Sequence, residues 1–435
     1  MTEVAILLPL VPILVAAAVA GLRAPVGLLA MYAALVPIGA VVALPLPLPE
    51  PFDTLSSATG AAATAGLLAH LAVRRRRSRP LPAPVPVWLL LVGLSGASVA
   101  WSINPEATVG DLLLLVGLVA LFATSALLDL DQAALRRLEF GIVAGGVIAG
   151  GYALYQLAAG ELPLSGAGIP RFITAAGGGE TGDPNITAAG MVLPLSVAVA
   201  HALRRDARWR GAMVGAALVC GAGIVLTLSR GGLLGVLTAL AVLALRSPYR
   251  AAASAVVAVP VVMLVVGLLT VPDALVARLT QQSATGRTEI WMVGLEACPR
   301  YCVAGSGLGT FPDVHERAVL DEPAAGGRRL RFEAHSLWLG TLVETGIVGL
   351  VLLVTALMLH ARALLTMERR QSAAALAALA ALAVMNVFLA NLEFKYFWLV
   401  LIYATLTGAA SQAPAAAITP APVRPKGFAD VRTAH

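Results

Sequence analysis

Three residues far apart in the chain carry groups that can manage an anion and a proton. Arg230 closes an apolar run as Thr227-Leu228-Ser229-Arg230-Gly231-Gly232. A guanidinium there is costly unless it meets a partner, a cavity or the interface. It therefore reads either as an interfacial arginine reaching for water or as the receiver of an anion, and the two glycines allow close backbone approach. Arg287 lies in Thr285-Gly286-Arg287-Thr288-Glu289-Ile290-Trp291, where Trp291, Leu295 and Cys298 recur at helical spacing. That spacing predicts an amphipathic helix on a membrane surface. Arg287 would stand near its N-terminus, where the dipole and free N–H groups favour a negative ligand; the alternative is a solvated arginine pairing with Glu289 or Glu296. His335, in Glu333-Ala334-His335-Ser336-Leu337-Trp338, stands at the mouth of an apolar run. A neutral imidazole there can take a proton near pH 7, or serve only as an interfacial side chain. Glu344, nine residues on in Glu344-Thr345-Gly346, lies about two and a half turns deeper and needs a partner.

Other polar groups are candidates by association. Asp183-Pro184-Asn185 occupies a shorter loop, as does Arg171, and Asn391-Leu392-Glu393-Phe394-Lys395-Tyr396 lies near the end, where Glu393 and Lys395 can pair with each other. Gly305-Ser306-Gly307-Leu308-Gly309-Thr310-Phe311 looks superficially like a nucleotide-binding turn but lacks a preceding strand. We read it as a closely packed turn anchored by Phe311. Arg328, Arg329 and Arg331 read as a mobile, solvated stretch. Neither a zinc-type His/Cys cluster nor a paired-Asp motif nor a nucleophile elbow occurs on that side, so no metal and no covalent serine chemistry are expected. Of the three cysteines, Cys220 falls inside an apolar run, while Cys298 and Cys302 are free to bridge or to remain as packed thiols.

The elements that must position these residues are set by the solvent. The 435 residues are 59% hydrophobic and 12% charged, with a mean hydropathy of +0.86, whereas a soluble chain is about a quarter charged. A spanning helix needs about 20 apolar residues, and twelve or thirteen such runs can be placed. They fall near 4–22, 26–46, 55–73, 84–101, 107–127, 138–160, 186–203, 211–229, 231–245, 251–270, 337–359, 372–391 and 395–410. Runs of this length satisfy their backbone in a bilayer only as helices, which predicts an all-α polytopic bundle. The net charge of +6 comes from arginines clustered between runs, such as Arg74 to Arg77, Arg136 and Arg137, and Arg204 with Arg208 and Arg210. They mark membrane topology and give no sign of nucleic acid. The positive-inside rule then places residues 271–334 outside the cytoplasm as one long loop with short helices. Residues 1–270 and 335–410 become its flanking membrane helices, and 411–435 a disordered cytoplasmic tail. The N-terminus shows no cleavable signal pattern. The arginine-bearing connections are too short for a nucleotide-binding domain, so any substrate must arrive already activated.

The order Asp183-Pro184-Asn185, Ser229-Arg230-Gly231, Gly286-Arg287, Gly305 to Phe311, His335 and Glu344-Thr345-Gly346 resembles the O-antigen ligase and polymerase superfamily of bacterial membrane glycosyltransferases. The resemblance runs from Trp101-Ser102 to the last span; a typical member has Asn where this chain has Ser336, and about twelve spans. It implies transfer of a glycan from an undecaprenyl-diphosphate donor to an acceptor hydroxyl of a lipid, glycan or protein. The reaction would be inverting and metal-independent, without a cofactor, at the outer face of the cytoplasmic membrane. It implies that Arg230 and Arg287 hold the diphosphate and that His335 activates the acceptor, with Asn185, Arg171 and Glu344 completing the substrate-binding set. A repeat-unit polymerase of the same superfamily would share all of these residues. A transporter or flippase with a gating loop is the competing class, although no internal repeat is visible.

Overall fold

The computed structural model describes residues 19–20, 23–38, 54–74, 80–164, 170–174, 183–204, 208–247, 265, 286–320, 331–390 and 392–412. Among them the regular elements are all helical, as the length and apolarity of the runs require. In chain order they are α1 (Pro25–Leu35, continued by a 3-10 turn Val36–Ile38), α2 (Leu55–Arg74), α3 (Pro84–Ser98), α4 (Pro105–Ala126) and α5 (Gln132–Ala159). There follow α6 (Pro184–Ala202), α7 (Arg210–Leu226), α8 (Arg230–Arg246), α9 (Arg287–Glu296), α10 (Cys298–Tyr301), α11 (Phe311–Leu320), α12 (Leu337–Leu365), α13 (Arg369–Met385) and α14 (Lys395–Gln412). Four of these, α4, α5, α6 and α12, are long and apolar enough to cross a membrane, and α3, α7 and the first helical segment are shorter apolar helices. Except for residues 19–20 and 265, the runs expected near 4–22 and 251–270 lie outside the described residues, as do Arg328, Arg329, Asn391 and the tail beyond Gln412.

Five of the helices start where a capping side chain stands ready beside the apolar run. The side chains of Asn104, Asp131, Asp183, Ser229 and Ser336 accept backbone N–H groups at the first turns of α4, α5, α6, α8 and α12, satisfying donors that the helix itself leaves open. Asp131 starts α5 six residues before the expected span, so that Arg136 and Arg137 lie within the helix. Gly160, left-handed at φ 70°, ends it.

Packing in lipid depends on small residues that let backbones approach. On one face of α5, a Cβ on Gly141 or Gly145 would lie 2.4 or 2.5 Å from the carbonyl oxygens of Ala30 and Ala34 in α1. On the other face, Gly146 and Gly150 take Pro194 of α6 and Val219 of α7. α6 is the innermost helix, buried almost continuously from Pro184 to Val199 and in contact with α5, α7, α8 and α13. Its N-terminus is thereby fixed against the start of α8, where a Cβ on Gly232 would meet Ala188.

Candidate functional site

Two of the expected motifs meet at the starts of α6 and α8. Asp183 caps α6, its Oδ1 accepting the backbone N–H of Asn185 at 2.6 Å and the Asn185 amide at 2.7 Å. The Oδ1 of Asn185 in turn accepts the hydroxyl of Ser229 at 2.7 Å, while Ser229 Oγ caps α8 through Gly232 N–H. One polar chain therefore fixes the turn that presents Arg230. Arg171 reinforces it from below: it is 7% exposed, and its guanidinium donates to the carbonyls of Thr227 and Leu228 at 2.7 and 3.3 Å. In this structure Arg171 holds the backbone under Arg230. Between those carbonyls and Ser229, Leu228 is left-handed at φ 50°, a conformation that costs a branched side chain about 1–2 kcal/mol.

Arg287 reaches the same place from the first turn of α9. Gly286, at φ 70°, turns the chain into that helix and leaves the guanidinium over the ring of Phe388, 6.0 Å from its centroid. Gly231 lies beside the same residue, a Cβ there falling 3.9 Å from Phe388. The charges of Arg230 and Asp183 both act on Arg287. Burial is the main cause lowering its proton affinity below the usual arginine range; Asp183 opposes this and Arg230 adds to it. Two guanidiniums and three helix N-termini, those of α6, α8 and α9, thus converge, a concentration of positive potential that suits an anion.

His335 joins this region through its neighbours. Trp291, one turn along α9 from Arg287, stacks on Phe388 with centroids 6.2 Å apart and donates its indole N–H to the carbonyl of Ala334 at 3.1 Å. Leu337 N–H donates to the carbonyl of Asn386, two residues before Phe388. His335 itself is left-handed at φ 44°, and Ser336 caps α12 immediately after it. Among the described non-glycine residues, only Leu228 and His335 have positive φ, and each precedes a serine that caps a helix at this site. Unfavourable backbone conformations of this kind cluster at functional sites.

Glu344 is held by backbone donors. Gly346, at φ 71° and ψ −176°, breaks α12 and leaves the carbonyls of Val343 and Glu344 to accept Ser306 and Gly307 N–H groups at 2.9 Å each. The Glu344 carboxylate accepts the N–H groups of Phe311, at 3.1 Å, and Gly309. The glycine-rich turn is therefore clamped to the kink, and its positive-φ glycines Gly305, Gly307 and Gly309 lie close against Glu344, Ser102 and Asp111 respectively. Gly346→Ala should destabilise the protein by about 3 kcal/mol or more, since that φ/ψ is nearly glycine-only and the new methyl would lie 2.4 Å from Val303 O. A thermal melt in detergent checks this. Gly117→Ala, which meets nothing within 4 Å, should leave the midpoint unchanged or raise it.

Between the turn, α12 and the residues after α13 lies a cavity of about 180 Å³ lined by Asp111, Glu333, Glu344 and Glu393. Burial first, then the charges of Asp111, Glu344 and Glu333, push the Glu393 carboxyl well above its usual range. Among the described residues, no group of three or more His, Cys, Asp or Glu side chains is placed to hold a metal ion. Sequence reasoning missed Asp111 and Phe388. The signal for Asp111 was present, as a lone carboxylate inside an apolar run is exceptional; Phe388, one apolar residue among many, had none. Lys395 reaches Thr54 and Ser56 at 2.9 and 2.8 Å. Arg331 bridges Asp313 and Glu316 of α11 at 2.9 and 2.8 Å, so this part of the basic stretch is held. Cys298 and Cys302 are joined as a disulfide.

A search of curated proteins finds no match to this chain. Residues 214–354, which carry Arg230, Arg287, His335 and Glu344, match the model of the O-antigen ligase family (Wzy_C), and this supports a place for the chain in the O-antigen ligase superfamily.

Proposed function

We propose that the protein transfers a glycan from a polyprenyl-diphosphate donor, of the undecaprenyl type, to an acceptor hydroxyl at the extracytoplasmic face of a bacterial cytoplasmic membrane. The observation that carries this reading is the approach of Arg287 to Arg230 at helix N-termini. Asp183 supplies one counter-charge there, and the surplus of guanidinium groups and helix N-termini suits a further, multiply charged anion. A diphosphate leaving group gains charge as the glycosidic bond breaks, and two guanidinium forks can follow it bidentately.

His335 acts from the far side of the anomeric carbon as general base, taking the proton of the incoming hydroxyl and giving in-line displacement with inversion. The carboxylate-lined cavity beside Ala334 supports an acceptor rich in hydroxyl groups, which donate to carboxylates. In this reading Asn185 and Arg171 are positioning residues, setting Arg230 through Ser229 and through the Thr227 and Leu228 carbonyls. The arginine clusters at the other ends of the helices and the Cys298–Cys302 disulfide support the extracytoplasmic face.

Transfer from a purified polyprenyl-diphosphate glycan should proceed in excess EDTA. Loss of product on chelation, restored by a divalent cation, would contradict the two-arginine mechanism. The family match accommodates ligase and polymerase alike, and ligation is the reading put to the test. Deletion of the gene should then leave full-length glycan on its carrier, whereas shortened chains would assign the same residues to a polymerase.

A further inference from the structure

A second cavity, of about 390 Å³, lies at the opposite end of α5, α6 and α7, and its lining includes Arg136, Glu139, Phe140, His201, Arg204 and Arg208. α6 runs from Asp183 at the first site to His201 at this one, and its 19 residues measure about 28 Å at 1.5 Å each, close to the thickness of a hydrocarbon core. The two sites therefore belong to opposite interfaces. Nothing in the proposed glycan transfer uses this one.

Its charge is strongly one-sided. Among the described residues Glu139 is the sole carboxylate in the lining, and both of its oxygens are engaged, Oε2 with His201 Nε2 at 2.9 Å and Oε1 with the Tyr403 hydroxyl at 2.8 Å. Among the described residues the ion pairs do not include Arg136, Arg204 or Arg208. Arg208 is laid over the Trp209 ring, 5.7 Å from its centroid, which restrains the guanidinium without neutralising it. Toward the membrane the lining turns apolar through Phe140 and Met213, and farther along α7 stand Val214 and Leu218, which like Phe140 are about half exposed. Arginines above a lipid-facing apolar strip complement an amphiphile whose polar end is an anion.

We infer that this cavity binds a phosphate-bearing anion, and that the headgroup of an anionic membrane lipid, with its acyl chains along Phe140, Val214 and Leu218, is the occupant its surroundings favour. The full chain in phosphatidylcholine nanodiscs doped with phosphatidylglycerol, read by native mass spectrometry, tests this directly. Wild-type protein should retain phosphatidylglycerol in preference to phosphatidylcholine. The Arg204→Gln/Arg208→Gln double variant should lose about 30-fold in apparent affinity and Arg136→Gln alone about fivefold, since one basic residue at a membrane surface is worth about a factor of five. Each variant must elute like wild type, and Arg362→Gln/Arg370→Gln, in another connection, should retain the lipid. A parallel titration with inorganic phosphate separates the sources: binding of phosphate without phosphatidylglycerol assigns the cavity to the free anion. Equal retention by wild type and the Arg204/Arg208 variant, with no phosphate binding, overturns the proposal, as does an equal loss in the Arg362/Arg370 variant.

Discussion

Arg287→Lys is expected to lose nearly as much transfer activity as Arg287→Ala, about 10²–10³-fold, by analogy with removing one preorganised donor from a developing negative charge. Lysine keeps the positive charge and can still approach the Phe388 face that Arg287 covers. What it lacks is the planar fork that pairs two oxygens at once. The loss should fall mainly on turnover, because the bidentate contact tightens as the leaving diphosphate gains charge. Single-turnover rates with a defined polyprenyl-diphosphate glycan measure this. Full activity in the lysine variant would leave only a point charge in the role and remove the basis for a bidentate clamp. Since Arg230 and Arg287 share one ligand in this mechanism, Arg230→Ala should add little once Arg287 is gone.

The pairing of Arg230 with Arg287 was legible only through the resemblance in motif order; the amphipathic helix expected after Arg287 instead carries Ile290, Trp291, Met292 and Val293 in succession, so its apolar residues are not confined to one face. The helical class was legible for a simpler reason, as apolar runs of that length have no other way to satisfy their backbones in lipid. What stayed hidden depends on three-dimensional closure. Glu344 reads as a buried acid in need of a partner, yet its partners are the backbone N–H groups of Phe311 and Gly309, available only because α12 breaks at Gly346. Arg171 and Asn185 read as substrate ligands. Their hydrogen bonds run to the Thr227–Ser229 turn, an arrangement no local pattern encodes. The start of α5 was misjudged because Arg136 and Arg137 resemble a boundary, whereas the Asp131 cap carries the helix past them.

His335→Ala should leave donor affinity unchanged and lower turnover by about 10²–10⁴-fold, the range for losing a positioned general base. A complication is that His335 is left-handed at φ 44°, so alanine could act through the backbone by disturbing the Ser336 cap and the start of α12. His335→Asn resolves it. Asparagine tolerates the left-handed region better than most residues and preserves the local fold, but its amide cannot accept a proton near neutral pH. If the imidazole is the base, both variants bind donor and fail to turn over, and melting midpoints separate them from an unfolded protein. If the position matters only for its backbone, His335→Asn turns over at the wild-type rate, and the base must be sought among the carboxylates that line the neighbouring cavity, with Glu333 the first candidate because it is two residues from His335.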